Sequence, residues 1–211
     1  MTLTGTLVGY DPGGNGAHGL AIATYQDGEV IELELSTCRT AEKAIAAICV
    51  HENVLGIGID TLTCWSTGPS GWRPADRWLK NNYPSITNSI ASANSLFGSM
   101  GLNGMAVLLK LRQTFPGIHV SETHPKVLYF ELAQSKYDYG TNSAEMDALL
   151  GELLGMRINT GNDHEWDAAV SVYALSCGLK GRWAHDLHRL ATQQDESIVE
   201  PAGTTSYWWP K

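Results

Sequence analysis

The sequence lacks the usual signals for a membrane, an oxidising compartment or tight binding of a phosphate backbone. Its net charge is −8, and no stretch is rich in lysine and arginine. A protein that holds nucleic acid mainly through phosphates normally carries such a stretch, so general affinity for nucleic acid should be weak, although a local site is not excluded. The four cysteines form no close pair and show no zinc-ligand spacing, which is typical of reduced thiols inside a cell.

Long apolar runs are also missing. The chain has no stretch of about 18 apolar residues, and it does not begin with a basic segment followed by an apolar block. We therefore expect neither a membrane span nor a signal peptide, and we expect a cytoplasmic protein. With 211 residues, 43% of them hydrophobic, the chain can form one domain with a substantial core. We expect this domain to cover residues 1–191, with a C-terminal tail at 192–211.

Hydrophobic periodicity predicts alternating strands and helices. Strands are predicted at 3–11, 19–25, 30–35, 54–60 and 117–122. Helices are predicted at 40–53, 74–83, 102–115, 124–133, 142–155 and from 163 to about 179, with a possible extension over 182–191. The first three strands have short links and should be antiparallel. This order predicts an α/β, ribonuclease-H-like fold: a five-stranded mixed sheet, three strands antiparallel and then parallel strands, with helices on both faces.

Two of the predicted strands end in a single aspartate. Asp11 follows Gly9 on one strand face, and Asp60 follows Gly56 and Gly58 on another, because alternate strand residues share a face. If the two strands are adjacent and parallel, the carboxylates meet at one edge of the sheet. Two carboxylates a few ångströms apart repel, so such a pair calls for a cation or a shared proton. Each aspartate could instead simply cap a turn.

The last predicted helix brings a third carboxylate. Asp163, His164 and Asp167 have spacings of three and four and can share one helix face. Small residues continue that face: Ser171, Ala174 and Gly178. Such a ridge of small residues could lie closely on the strand glycines. The helix would then place Asp167 beside the two strand-end acids.

These positions predict a metal site that contains Asp11, Asp60 and Asp167, with Glu122 and His164 as further candidates. Oxygen ligands with at most one imidazole favour Mg²⁺ or Mn²⁺ over zinc. Two such ions about 3.5–4 Å apart can activate water and stabilise the leaving oxygen in phosphodiester hydrolysis. Two alternatives stay open. Glu122 could pair with a nearby base, and His164 could lie at the helix start without contacting a metal.

Four segments together resemble the domain-of-unknown-function family four-two-nine, whose members are described as predicted ribonuclease-H-like nucleases. The segments are GYDPGG at 9–14, GIDTLTCWSTGPSGWRPADRWL at 58–79, SETHPKVLYFEL at 121–132 and HEWDAAVSVYAL at 164–175. They are spread over most of the chain. The His-x-x-Asp-Ala at 164–168 is also similar to the last motif of RuvC-type Holliday-junction resolvases.

The resemblance implies four catalytic acids: Asp11, Asp60, Glu122 and Asp167. It also places the family's Arg-x-x-Asp pair on Arg73 and Asp76, from where Arg73 could reach a substrate phosphate. The same two residues could instead form a simple surface ion pair. One departure concerns the loop after Asp60, which reads Thr-Leu-Thr where the family usually has a small residue and proline.

We therefore expect a metal-dependent phosphodiester hydrolase, a nuclease acting on RNA, DNA or a junction, with no membrane partner and with homo-oligomers left open. One alternative is a catalytically silent binding or scaffold domain that uses the aromatic C-terminal segment or the tryptophans at 65, 72 and 78. Another is a phosphotransferase-like domain, because DPGG resembles the first phosphate loop of sugar kinases and actin; those proteins need two such domains. A nicotinamide-binding fold is disfavoured, because the glycine turn leads to an antiparallel strand and not to a helix.

Overall fold

The computed structural model describes residues 2–14, 16–92 and 98–210. The strands are β1 (Gly5–Asp11), β2 (His18–Gln26), β3 (Glu29–Cys38), β4 (Val54–Ile59), β5 (Trp65–Ser66), β6 (His119–Glu122), β7 (His185–Asp186), β8 (Ile198–Val199) and β9 (Trp208–Trp209). The α-helices are α1 (Ala41–Ile48), α2 (Pro74–Asn82), α3 (Gly98–Thr114), α4 (Pro125–Ala133), α5 (Tyr139–Leu154) and α6 (Asp163–Leu179). Two 3-10 helices cover Pro84–Ser89 and Leu187–Arg189. In the described ranges no helix is both long and apolar enough to cross a membrane.

The main sheet has the strand order β3-β2-β1-β4-β6. Strands β1, β2 and β3 pair in antiparallel fashion, whereas β4 runs parallel to β1 and β6 runs parallel to β4. This topology confirms the predicted ribonuclease-H-like fold. Because β1 and β4 are adjacent and parallel, their carboxyl ends lie at the same edge of the sheet.

Side chains that alternate along β1 divide the core into two layers. Leu7 packs with the residues of α6 on one face, whereas Val8 and Tyr10 pack with α1 and α3 on the other. A strand exposes alternate residues to opposite faces, so Gly9 and Asp11 belong to the α6 face together with Leu7. The alternation along β1 therefore places Asp11 on the sheet face that α6 covers.

Helix α6 lies directly on the glycines of the sheet. A Cβ atom at three strand positions would come within 2.2 Å of a carbonyl oxygen of this helix: Gly9 against Ala168, Gly19 against His164 and Gly58 against Ser171. Real Cβ atoms do not approach so closely, so only glycine permits this contact. The close approach predicted for the helix is confirmed at Ser171. Gly178, however, faces the ring of Trp208 and not the sheet.

The C-terminal segment packs on the fold despite its tail-like composition. Strand β9 pairs with β7, and Ser206 forms a parallel bridge with Ser121 at the outer edge of β6. Tyr207 and Trp209 are each only 1% exposed. The aromatic residues of this segment therefore extend the core beyond the last strand of the sheet.

Two predicted helix ends are wrong. Helix α1 ends at Ile48 with Cys49 as its C-cap, and Asn53, which has a positive φ of 53°, directly precedes β4. Helix α6 does not continue over 182–191. Gly181, with φ of 70°, redirects the chain into β7, and Trp183 and Leu187 are buried in the core. Residues 84–100 had no prediction; they contain a 3-10 helix and the start of α3, and 93–97 lie outside the described residues.

Candidate active site

The first two aspartates lie side by side at the edge of the sheet. Asp11 is the last residue of β1, and Asp60 directly follows β4. The backbone N–H of Asp60 donates a hydrogen bond to the carbonyl oxygen of Tyr10 at 3.0 Å, which continues the parallel pairing by one residue. Asp11 is buried and Asp60 is half-buried. The local pattern of each strand and the parallel pairing together bring these carboxylates to one edge.

Asp167 joins the two strand acids from the first half of α6. It precedes Ala168, the residue whose carbonyl lies on Gly9, and its side chain is buried. Burial, together with the negative charges of Asp11 and Asp60, raises the pKa of Asp167 well above its usual range. Burial and the charge of Asp11 raise the pKa of Asp60 in the same way. The three carboxylates therefore form one group whose negative charges repel one another.

His164 belongs to the same group through Asp11. Its Nδ1 lies 2.5 Å from Oδ2 of Asp11, and its ring is about one-third exposed at 32%. The hydrogen bond to Asp11 raises the pKa of His164 above its ordinary value. A protonated His164 balances part of the charge of Asp11, whereas a neutral His164 could offer a nitrogen to a metal ion.

Tyr137 is a site residue that the sequence reasoning missed. It lies between α4 and α5, and its hydroxyl donates a hydrogen bond to Oδ1 of Asp167 at 2.8 Å. Edge-to-face contacts with Tyr129 and Trp166 hold its ring in place. Its segment has the composition of a polar loop, and no motif distinguishes this tyrosine from Tyr139 two residues later.

Lys126 is the second missed residue. It lies in the first turn of α4, is exposed, and its positive charge partly opposes the raised pKa values of Asp60 and Asp167. Lys126 and Lys136 also line a groove of about 570 Å³ that reaches Tyr137 and Asp163 at the start of α6. Two lysines at an acidic edge are notable in a chain of net charge −8.

Glu122 differs from the three aspartates because its carboxylate is already paired. Arg73 donates to both of its oxygens at 2.6 and 2.8 Å, and Thr63 adds its backbone N–H and hydroxyl at 2.8 and 2.9 Å. Although burial opposes ionisation, the charge of Arg73 holds the pKa of Glu122 far below its usual range. Glu122 is close enough for its charge to raise the pKa of Asp60. Its contacts are those of a carboxylate paired with a nearby basic residue, the alternative to metal binding for Glu122.

Arg73 and Asp76 form a buried pair and not a surface pair, since they are 1% and 2% exposed. The guanidinium donates to Asp76 from Nε at 3.0 Å and from Nη2 at 2.7 Å, and to the carbonyl oxygen of Cys64 at 3.3 Å. With the two bonds to Glu122, these contacts use all five N–H groups of the side chain. A substrate phosphate could bind Arg73 only if one of these bonds broke. Direct substrate binding by Arg73 and Asp76 stays a prediction.

The cluster whose ligand atoms already lie at metal-binding distance was not predicted. No three of Asp11, Asp60, His164 and Asp167, which all belong to the described ranges, bring their ligand atoms within 4.8 Å of one another. In the described part of the chain, Cys64, Glu122 and His188 offer ligand atoms within 4.8 Å of one another. Two cations already occupy this place. Nη1 of Arg73 lies 3.4 Å from Sγ of Cys64, and hydrogen bonds with Cys64 and Glu122 outweigh burial and raise the pKa of His188 to about 10. A metal ion does not fit beside these positive charges without displacing them.

No protein-family model matches the chain, and no curated protein matches it. Membership in the family of unknown function therefore stays a prediction. Among solved structures, the chain is similar to RuvC of Thermus thermophilus at 15% identity and a TM-score of 0.48, over 83% of this chain and 96% of that chain. It is also similar to T. thermophilus RuvC in complex with a Holliday junction substrate, at 15% identity and a TM-score of 0.46, over 84% and 96%.

Proposed function

We propose that the chain is a metal-dependent phosphodiester hydrolase, a nuclease, whose site consists of Asp11, Asp60 and Asp167 with His164 beside them. The observation that carries this proposal is the convergence of three aspartates, from the ends of β1 and β4 and from α6, at one edge of the sheet. Burial and repulsion raise the pKa values of Asp60 and Asp167. A protein keeps such a group at a cost in stability, and raised pKa values of this kind are common at functional sites.

The donor set fits Mg²⁺ or Mn²⁺. Carboxylate oxygens are the ligands that these hard cations prefer, and one imidazole is compatible with Mn²⁺. Asp11, Asp60 and Asp167 would hold the ion, and a positive charge there would relieve their repulsion. Such an ion supplies an activated water and stabilises negative charge on the leaving oxygen.

The surrounding side chains position the acids. Tyr137 fixes Oδ1 of Asp167, and His164 fixes Oδ2 of Asp11. Each hydrogen bond restricts the rotation of one carboxylate. The second oxygen of that carboxylate is thereby also held in a fixed direction. Glu122, held by Arg73, supports the loop after Asp60 through Thr63 and adds a fixed negative charge near the site. We assign Glu122, Arg73 and Asp76 this supporting role.

The groove beside the site provides a path for a phosphodiester backbone. Lys126 and Lys136 line it together with Tyr137, so two ammonium groups can contact phosphates next to the acids. With a net charge of −8, attraction between the protein and nucleic acid at long range is weak. We therefore expect slow or narrow cleavage with only a modest dependence on salt, because two ammonium groups neutralise few phosphates.

The test is cleavage of labelled single-stranded, duplex and four-way-junction substrates, made of RNA or DNA as appropriate. Cleavage should require Mg²⁺ or Mn²⁺, fail with Ca²⁺, and disappear in Asp11→Asn and Asp167→Asn. Glu34→Gln, which removes an exposed acid on β3, is the matched control and should cleave normally. If no substrate is cut and calorimetry detects no Mn²⁺ binding at millimolar metal, the silent binding or scaffold domain replaces this proposal.

A further inference from the structure

A separate cavity of about 460 Å³ opens beside the acidic edge. Asp60 and Glu122 bound it on the side of the sheet, and Lys126 lies at its border with the groove. Its volume falls within the range of about 300–1,000 Å³ that is typical of small-molecule sites. The cavity therefore has room for a group larger than water next to the place where a phosphate would be cut.

Three residues that line this cavity carry buried polar atoms without a hydrogen-bond partner. They are Oγ1 of Thr61, Nδ1 of His124 and the hydroxyl of Tyr207, half of the six such atoms in the described part of the chain. Buried polar groups are almost always paired, and an exception calls for an explanation. A ligand with complementary polar atoms would remove this deficit.

The rest of the lining is mixed. Leu62, Ile90, Ala91 and Met100 contribute apolar surface, and Arg73, Asp76, Asn88, Ser89 and Thr123 contribute further polar groups. Burial lowers the pKa of His124, although a hydrogen bond with the backbone of Ser89 opposes this shift, and Nδ1 is the ring nitrogen left for a ligand. A ligand that matches this lining has flat apolar faces and a polar edge, and carries a negative charge near Lys126.

We propose that this cavity binds the base of one nucleotide, next to the phosphate that the acids contact. The proposal rests on the proposed nuclease function and adds a substrate class to it. A base in a duplex can enter this pocket only if it is flipped out of the helix, which costs the free energy of pairing and stacking. The protein should therefore act on single-stranded or unpaired nucleotides, and base binding should supply the affinity that its acidic surface does not.

The three unpartnered atoms permit a sharp binding test. Tyr207→Phe and Thr61→Val each remove a hydroxyl that forms no bond in the free protein, so both variants should melt at or above the wild-type temperature. Binding of the nucleoside 5′-monophosphates AMP, GMP, CMP and UMP is measured by calorimetry in Ca²⁺. We expect each variant to bind the preferred nucleotide about 3- to 10-fold more weakly, the loss of one hydrogen bond. Tyr25→Phe is the matched control, because Tyr25 is a buried tyrosine on β2 that does not line the cavity.

Cleavage then separates the two proposals. A single abasic residue is moved stepwise through a short single-stranded oligonucleotide that the protein cuts, and the rate at each bond is measured. If the cavity binds a base, cutting falls at least about 3-fold at bonds next to the abasic residue. Undiminished cutting there, with wild-type binding by Tyr207→Phe and Thr61→Val, would overturn the cavity proposal and leave the nuclease intact. Nucleotide binding that is weakened in both variants, without any cleavage, would support the cavity and reject the nuclease.

Discussion

The backbone N–H of Asp60 donates to the carbonyl oxygen of Tyr10, across the parallel pair β1 and β4. This single bond places Asp60 next to Asp11, the residue after Tyr10. Backbone geometry therefore fixes the two residues next to each other at one edge of the sheet. Their repulsion is a structural consequence of the sheet, and it can be tested.

Removing one charge should relieve this repulsion. The pKa of Asp60 is raised in the folded protein, so its ionised form destabilises the fold. This loss is absent at low pH and grows as the pH rises from the unfolded pKa of about 4 through the higher folded pKa. Asp60→Asn should therefore melt above wild type in chelator at neutral pH and close to it near pH 4. A relief of about 1 kcal/mol corresponds to about 2–4 °C in a domain of this size.

Added Mn²⁺ should reverse the order of the melting temperatures, so that wild type melts above Asp60→Asn. A ligand at about 100 times its Kd stabilises the folded state by about 2.7 kcal/mol, and Asp60→Asn should lose much of this gain. Melting curves with and without millimolar Mn²⁺ provide the measurement. An unchanged gain in the variant would mean that the metal binds elsewhere.

The contact between α6 and the sheet should not tolerate a side chain at Gly58. A Cβ there would lie 2.2 Å from the carbonyl oxygen of Ser171. Gly58→Val should lower the free energy of unfolding by about 1–3 kcal/mol or more, measured in urea. Gly140→Ala is the control, because an added Cβ at this exposed helix position meets only Asp138 at 3.8 Å. Equal stability of both variants would contradict the packing described here.

The buried cluster around Arg73 should be costly to break. Arg73→Ala leaves Glu122 and Asp76 charged and buried, which should cost about 3–5 kcal/mol in the free energy of unfolding. Arg189→Ala is the matched control, since Arg189 is 67% exposed and lies 3.6 Å from Asp186; an exposed pair contributes about 0–1 kcal/mol. The low pKa of Glu122 means that its contribution is present at neutral pH and is lost as the pH falls. A small loss, similar to that of the control, would show that the cluster is not rigid.

Tyr137 should act on the pH dependence of cleavage. Its hydrogen bond lowers the pKa of Asp167, so Tyr137→Phe should raise that pKa and move the acidic limb of the pH–rate profile to higher pH. Tyr139→Phe removes the neighbouring hydroxyl, which contacts Thr160 and not the acids, and should leave the profile unchanged. If both variants lose rate equally at all pH values, Tyr137 has no specific effect on Asp167.

The pattern of the sequence determined the fold and the three aspartates. Strands with period-two alternation end at Asp11 and just before Asp60. The residue spacing in α6 predicts that Asp167 lies on the face turned to the sheet. The strand glycines predict where this helix packs most closely. Each of these is a short-range regularity, so it can be read from neighbouring residues. The predicted extension of α6 failed because Gly181 adopts a positive φ just after the helix, a local choice that hydrophobic periodicity does not contain.

The tertiary structure decided which of the other polar residues meet. Arg73 reaches Glu122 over 49 positions, and Tyr137 reaches Asp167 over 30. The bridge between Ser206 and Ser121 brings a tail-like segment into the core. Such pairs depend on how the strands and helices are arranged in space, because the energy of a buried ion pair or hydrogen bond is set by distance and burial and not by spacing along the chain.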